Sequence, residues 1–166
     1  MNEPELFKTR YSKTNCEIGI VHLGFGAFHR AHQAVFFDKF MDITNDTRWG
    51  IAAVNLRKVD SRSFLATSEL SDGYVLKTIA PSGKQDFRLV RSHLKFVDAA
   101  CDADSAYQLF LLPSVKIVTI TVTESGYFFK NPLRCGISIS VLVLMYPVWS
   151  PTPTIRIPFS CSFSAI

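Results

Sequence analysis

The chain lacks any hydrophobic run long enough to cross a membrane. Its longest candidate, ISISVLVLMYPVW at 137–149, falls short of the ~18–20 apolar residues a span needs, and Pro147 interrupts it. The opening MNEPELFKTRYSK is polar and mixed in charge, so it carries no secretory apolar core. Cysteine is sparse and dispersed. Cys16, Cys101, Cys135 and Cys161 form no C-x-x-C pair and read as reduced thiols. A cytoplasmic protein is the expectation. Strong charge of one sign is missing too: the formal net charge is +4, and no Lys/Arg cluster interleaved with aromatics appears. No nucleic-acid footprint and no membrane partner are therefore expected.

Acid is missing from one part of the chain altogether. After Glu124 there is no Asp or Glu, and five of the eight prolines (Pro132, Pro147, Pro151, Pro153, Pro158) fall in the last 36 residues with six serines. Two readings of 131–166 stand: a Pro/Ser-rich linker, or a sequence read out of frame and never selected to fold. The hydrophobic half of the stretch favours the second. The remainder, with 48% apolar and 19% charged residues overall, describes a folded globular chain. The expected division is an extension over 1–16, a domain over 17–130 and an off-pattern tail over 131–166.

Within the domain, strand-like and helix-like segments alternate. Residues 18–23 are a short apolar run ending in glycine, as buried parallel strands do. Residues 28–43 carry apolar side chains at helical spacing on two faces, as a helix between a sheet and a further layer would. WGIAAVNL at 49–56 is a second buried strand, and Asp60 can cap a short helix reaching Leu70. Turn signals at 71–73 and 81–83 delimit strands at 74–79 and 87–96. Residues 99–112 are helical in composition and stop at Pro113. KIVTITV at 116–122 is the most strongly β-forming run. This alternation predicts an α/β fold with a doubly wound, mostly parallel sheet and a small β insertion.

The chemistry concentrates in IGIVHLGFGAFHRAHQ at 18–33. Gly24 and Gly26 stand where a backbone turns sharply and admits a phosphate that side chains would block. The helix after them begins with free backbone N–H groups and a positive dipole end, a ready anion site. The third glycine of G-x-G-x-x-G is absent, because position 29 is His. His29 and His32 lie one helical turn apart, yet no carboxylate or cysteine accompanies them at metal-ligand spacing. Helix-start packing and hydrogen bonding is the better reading, with no metal expected, and His22 reads as a satisfied core histidine.

Three blocks, HLGFGAFHRAHQA at 22–34, WGIAAVNLR at 49–57 and VTITVTESGY at 118–127, closely resemble the polyol-specific long-chain dehydrogenases. That family includes mannitol dehydrogenase and fructuronate (mannonate) reductase. The resemblance covers about two thirds of the chain. It implies a Rossmann-like domain and NAD-dependent oxidation of a secondary alcohol in a sugar alcohol or aldonate. It further implies Gly24, Gly26, Ala27, Phe28 and His29 against the pyrophosphate, with Ala31 doing the helix–strand packing of the missing glycine. At helix-start positions such as Phe28 and His29, main-chain donors are expected to matter more than side-chain identity.

At the adenosine corner, Asn55-Leu56-Arg57-Lys58-Val59-Asp60, no acid ends the strand. Arg57 is suited to stack on adenine or to meet a 2′-phosphate; the family resemblance implies NAD, and NADP stays open. Thr121, Thr123 and Glu124 end the strongest strand beside the nicotinamide half, with Glu124 an accessory proton relay and Gly126 turning the chain away. The family's catalytic K-x-x-x-x-N-x-x-H block follows no lysine here. The resemblance therefore implies a cofactor-binding part, cut short and inactive alone. A non-catalytic nucleotide-binding or partner-binding module is the rival reading, and a methyltransferase loop a distant third.

Overall fold

The computed structural model describes residues 6–70 and 72–122, together with the backbone of 140–145. Among the described residues, eight strands fall into two sheets. The larger has the order β6-β3-β2-β7-β8, and the smaller the order β1-β5-β4. The strands are β1 (Leu6–Lys8), β2 (Ile18–Leu23), β3 (Gly50–Asn55), β4 (Tyr74–Ile79), β5 (Gln85–Val90), β6 (His93–Asp98), β7 (Ile117–Val122) and β8 (Ser140–Met145).

β2, the first strand of the larger sheet, lies at its centre. It pairs in parallel with β3 on one side and with β7 on the other, and β3 pairs in parallel with β6. The chain thus builds outward from β2 through β3 to β6, then returns across the sheet to place β7 on the opposite flank. Between β2 and β7 the strand order reverses. In open α/β sheets a crevice opens at the carboxyl ends of the strands at such a reversal. β8 pairs antiparallel with β7, so the backbone of 140–145 extends the sheet beyond β7. Those residues belong to the 131–166 stretch. The rest of that stretch, with Cys135 and Cys161, lies outside the described residues, as do Thr123, Glu124 and Gly126.

Helices cover both faces. α1 (Ala34–Thr44) follows a π-helical turn at His29–Gln33, α2 is Ser61–Ser68 and α3 is Ala103–Phe110. On one face Val21, Ala52, Val54, Val97 and Val118 pack with Ala106 and Leu109 of α3. On the other, Ile20 and Ile51 pack with Ala34 of α1 and Val90 of β5. Every residue of β3 is buried, as a central strand covered on both faces requires. α1 ends at Asn45, whose φ of 56° is the left-handed cap that asparagine tolerates.

Three expectations change. The single strand over 87–96 is two strands in different sheets: β5 pairs antiparallel with β4, and β6 joins β3. Between them Arg91 leaves the sheet to bond Asp72 and the carbonyls of Thr9 and Tyr11. The helix expected over 99–112 begins only at Ala103, where the Asp102 carboxylate accepts from the Ser105 N–H. Asp60 occupies the N-cap position of α2 but makes no capping bond, because its carboxylate pairs with Arg57 at 3.3 Å.

The smaller sheet is anchored to α1 through one fully buried carboxylate. Asp38 accepts from the Tyr11 hydroxyl at 2.7 Å, the Arg91 N–H at 2.9 Å and the Arg88 guanidinium at 3.2 Å. Leu6–Lys8 pairs in parallel with β5, so the start of the described chain adds a strand to this insertion.

Candidate functional site

The β2–α1 turn lies at the carboxyl end of the central strand. Gly24 has a φ of +102°, a conformation that costs a side chain but not glycine. Its N–H donates to the Val54 carbonyl at 2.7 Å, which fixes the turn to β3. Above the turn there is room: nothing lies within 4 Å of where a Cβ would stand on Gly24 or Gly26. The Arg30 N–H closes the first helical turn onto the Gly26 carbonyl at 3.1 Å. The amides ahead of it, from Ala27 to His29, have no preceding helical carbonyl to reach, which is what makes such an end attract anions.

His29 makes the packing and hydrogen bonding expected of it at the helix start, and makes them through its side chain. Its side chain is fully buried and makes three specific contacts, so its identity matters as well as its amide. The ring stacks on His22 with 3.6 Å between centroids and 7° between planes. Its Nδ1 meets the Gln33 Oε1 at 2.8 Å, and its Nε2 meets the His93 Nε2 at 2.8 Å. The Gln33 amide N–H donates to the Thr119 hydroxyl at 3.1 Å, and that hydroxyl lies 2.7 Å from the His22 Nδ1. The His22 Nε2 then reaches the Thr121 hydroxyl at 3.4 Å.

With the Gln33 oxygen toward His29, the proton positions follow one another. His29 donates from Nδ1 and accepts at Nε2, so His93 donates from Nε2 and its bare Nδ1 faces inward. Thr119 donates to His22, and His22 donates to Thr121. The result is one directional chain of hydrogen bonds from β6 through the helix start to β7 and β2. The His93 Nδ1 has no hydrogen-bond partner among the described residues.

All three rings are held neutral. Burial, then the neighbouring His29, pushes His22 down to about 3. Burial pushes His29 down to about 4 against the raising effect of Gln33. Burial first, with His29 and His22 beside it, lowers His93 well below the ordinary histidine value. His22 is thus the satisfied core histidine the sequence suggested. His32 by contrast is exposed and leans on the Phe28 ring, so the two histidines one turn apart do not converge.

The packing expected of Ala31 falls to Ala34. Ala31 is only half-buried, whereas Ala34 is fully buried against Ile20 and Ile51, and its carbonyl accepts from the Ser92 hydroxyl. Ala34 stands three residues beyond Ala31, nearly one helical turn further along, where the helix packs on β2 and β3.

At the end of β3 the corner is organised by an amide rather than an acid. The buried Asn55 donates to Asp98 at 2.8 Å and to the Arg57 carbonyl at 2.9 Å, and accepts from the Arg57 N–H at 3.2 Å. The Ser61 hydroxyl, then the Asn55 amide, hold the Asp98 carboxyl below the usual carboxylate range. Arg57 and Lys58 are exposed there. Sequence reasoning missed His93, Gln33 and Asp98, which lie far from the glycine motif or seem ordinary helix and strand residues. His93 follows the polar residues Arg91 and Ser92, so no local signal marked it.

Comparison with known proteins identifies the family to which this fold belongs. The description of the mannitol dehydrogenase Rossmann domain matches residues 18–154, which runs past Asn131. D-arabinitol 4-dehydrogenase of Klebsiella pneumoniae is 32% identical over 114 residues, covering 69% of this chain and 25% of that protein. Mannitol 2-dehydrogenase of Aspergillus niger is 36% identical over 114 residues, covering 68% and 23%. Among solved structures, the Pseudomonas fluorescens mannitol 2-dehydrogenase ternary complex with NAD and D-mannitol is 29% identical with a TM-score of 0.70, covering 75% of this chain and 25% of that one. A D-sorbitol dehydrogenase in substrate-free form is 26% identical with a TM-score of 0.68, covering 76% and 26%. The chain spans about a quarter of the length of the curated relatives it matches.

Proposed function

Because this chain belongs to the mannitol dehydrogenase family, we propose that it is the dinucleotide-binding part of an oxidoreductase acting on sugar alcohols or aldonates. The reaction is the interconversion of a secondary alcohol with the corresponding ketone or ketouronate. The observation that carries this reading is the open space over Gly24 and Gly26 at the reversal of strand order. Gly26 lies outside the left-handed region and meets no neighbour, so the fold itself does not require a glycine there. A cofactor phosphate approaching the backbone does.

NAD, when bound, supplies the nicotinamide ring that takes up the hydride. The protein's part is to bind and orient it. The amides of Gly26, Ala27, Phe28 and His29 hold the pyrophosphate at the helix start. Arg57, at the β3 corner, covers the adenine, and its guanidinium with Lys58 also suits a 2′-phosphate, so NADP is the natural comparison. Thr123 and Glu124 follow directly on β7 and are assigned to the nicotinamide side, with Glu124 an accessory relay for the alcohol proton. No lysine of the chain heads the K-x-x-x-x-N-x-x-H block that the family uses as its base. The chain alone therefore binds cofactor without turnover.

Thermal unfolding tests this. A ligand of the folded state stabilises by RT ln(1 + [L]/Kd), about 2.7 kcal/mol at a hundredfold excess over Kd. NAD, or NADP, is expected to raise the unfolding midpoint while S-adenosylmethionine leaves it unmoved. No NADH should form with mannitol, arabinitol or mannonate. A flat response to both dinucleotides contradicts the binding assignment, and steady NADH production contradicts the assignment of inactivity.

A further inference from the structure

The residue between the two turn glycines is Phe25, and its side chain turns into the protein. Its ring meets four others nearly edge-on: His93 at 5.2 Å between centroids, Phe96 at 5.4 Å, Phe64 at 5.6 Å and Tyr74 at 6.4 Å. These come from β6, α2 and β4, so three separate elements close around one side chain of the turn. From the helix side the Arg30 guanidinium lies 5.4 Å from the same ring centre. Edge-to-face packing of this kind is directional as well as apolar.

His93 has a second task. Its Nε2 holds the His29 Nε2 at 2.8 Å. One residue of β6 therefore fastens the chain at Phe25 and again at His29, on either side of Gly26, Ala27 and Phe28. Those are the positions whose amides the proposed function assigns to the pyrophosphate. His93 is buried and Phe25 half-buried, and the ring contacts of both are with the protein, so neither needs to touch the cofactor to hold the turn.

We propose that Phe25 and His93 are positioning residues that latch the turn at both ends, so that its amides are already aimed at a dinucleotide pyrophosphate before it arrives. The proposal rests on the dinucleotide reading. Glycine-containing turns lose much backbone freedom on ordering, and a latch takes that loss during folding instead of during binding. The effect is confined to ligands that use the turn. Adenosine, which ends before the pyrophosphate, is indifferent to it.

The test uses the full chain and three probes: NAD, ADP-ribose and adenosine, titrated calorimetrically. Phe25→Ala and His93→Leu should weaken NAD and ADP-ribose about tenfold, the loss expected from freeing one ordered residue, with adenosine unchanged. His93→Gln keeps a donor toward His29 and should recover most of the NAD affinity. Phe25→Leu, which keeps apolar bulk, serves if Phe25→Ala does not fold, and should show the same selective loss. An equal loss for adenosine, unchanged NAD affinity, or failure of Phe25→Leu and His93→Gln to fold would each overturn the latch. Failure of the unmodified chain to bind NAD or ADP-ribose removes instead the dinucleotide reading on which it rests.

Discussion

Gly19 and Gly26 carry the same single hydrogen for different reasons. A Cβ on Gly19 would run into the carbonyl of Arg48 beneath β2, where backbone leaves no room to yield. A Cβ on Gly26 would meet nothing. The first glycine is needed by the fold, and the second is the one the proposed function assigns to a ligand. Gly19→Ala is therefore expected to cost on the order of 1–3 kcal/mol, the range of overpacking in a tight core. Urea unfolding measures it, and a midpoint equal to that of the unmodified chain would refute the close approach of β2 and the 47–49 turn. Gly24 combines both demands, since its φ of +102° and its bond to Val54 serve the turn while its open side faces the site.

At the scale of elements, the histidine chain joins the helix start to three strands, and it does so only while the rings are neutral. Three of the chain's four histidines take part. Each is titrated near 6.5 when unfolded and far lower when folded, about 3 for His22 and about 4 for His29, with His93 also lowered. Between those values the unfolded state binds more protons than the folded one, so stability rises with pH there. It is whole above about 6.5 and falls as pH drops from there toward 4. Lys13 and Arg30 add repulsion on His93 in the same direction, as do the neighbouring rings. The midpoint of urea unfolding should thus fall between pH 7 and pH 5, and a constant midpoint over that interval would contradict the neutral cluster.

Elements with one clear periodicity were legible in the sequence. β2, β3, β4 and β7 stand where apolar runs and turn residues put them, because each is bounded by glycine, proline or a polar corner. The 85–98 region was not, because Arg91 and Ser92 interrupt an apolar stretch without any turn signal. Their reason to break it is tertiary: Arg91 ties down the chain near Tyr11, and Ser92 bonds the Ala34 carbonyl. The π-helical turn was equally hidden, since it depends on His29 and Gln33 finding partners on β6 and β7. At the site, the motif located the turn, but the inward roles of Phe25 and His29 depend on residues brought in from elsewhere in the chain.

Across the whole molecule, the order β6-β3-β2-β7 puts the glycine turn and the end of β7 on neighbouring strands where the strand order reverses. The pairing of β8 with β7 extends the sheet on that side, and the family match runs on to residue 154. Both faces of the central strands are covered, by α1 on one side and α3 on the other. Such a sheet can bind a dinucleotide along its carboxyl edge without supplying a base for the alcohol. The direct measurement is a calorimetric titration of NAD into the chain and into Gly26→Val, with thermal unfolding of both. The account predicts saturable one-to-one binding to the unmodified chain, and loss of that binding in the variant at an unchanged unfolding midpoint. Undiminished binding by a folded Gly26→Val chain would contradict it.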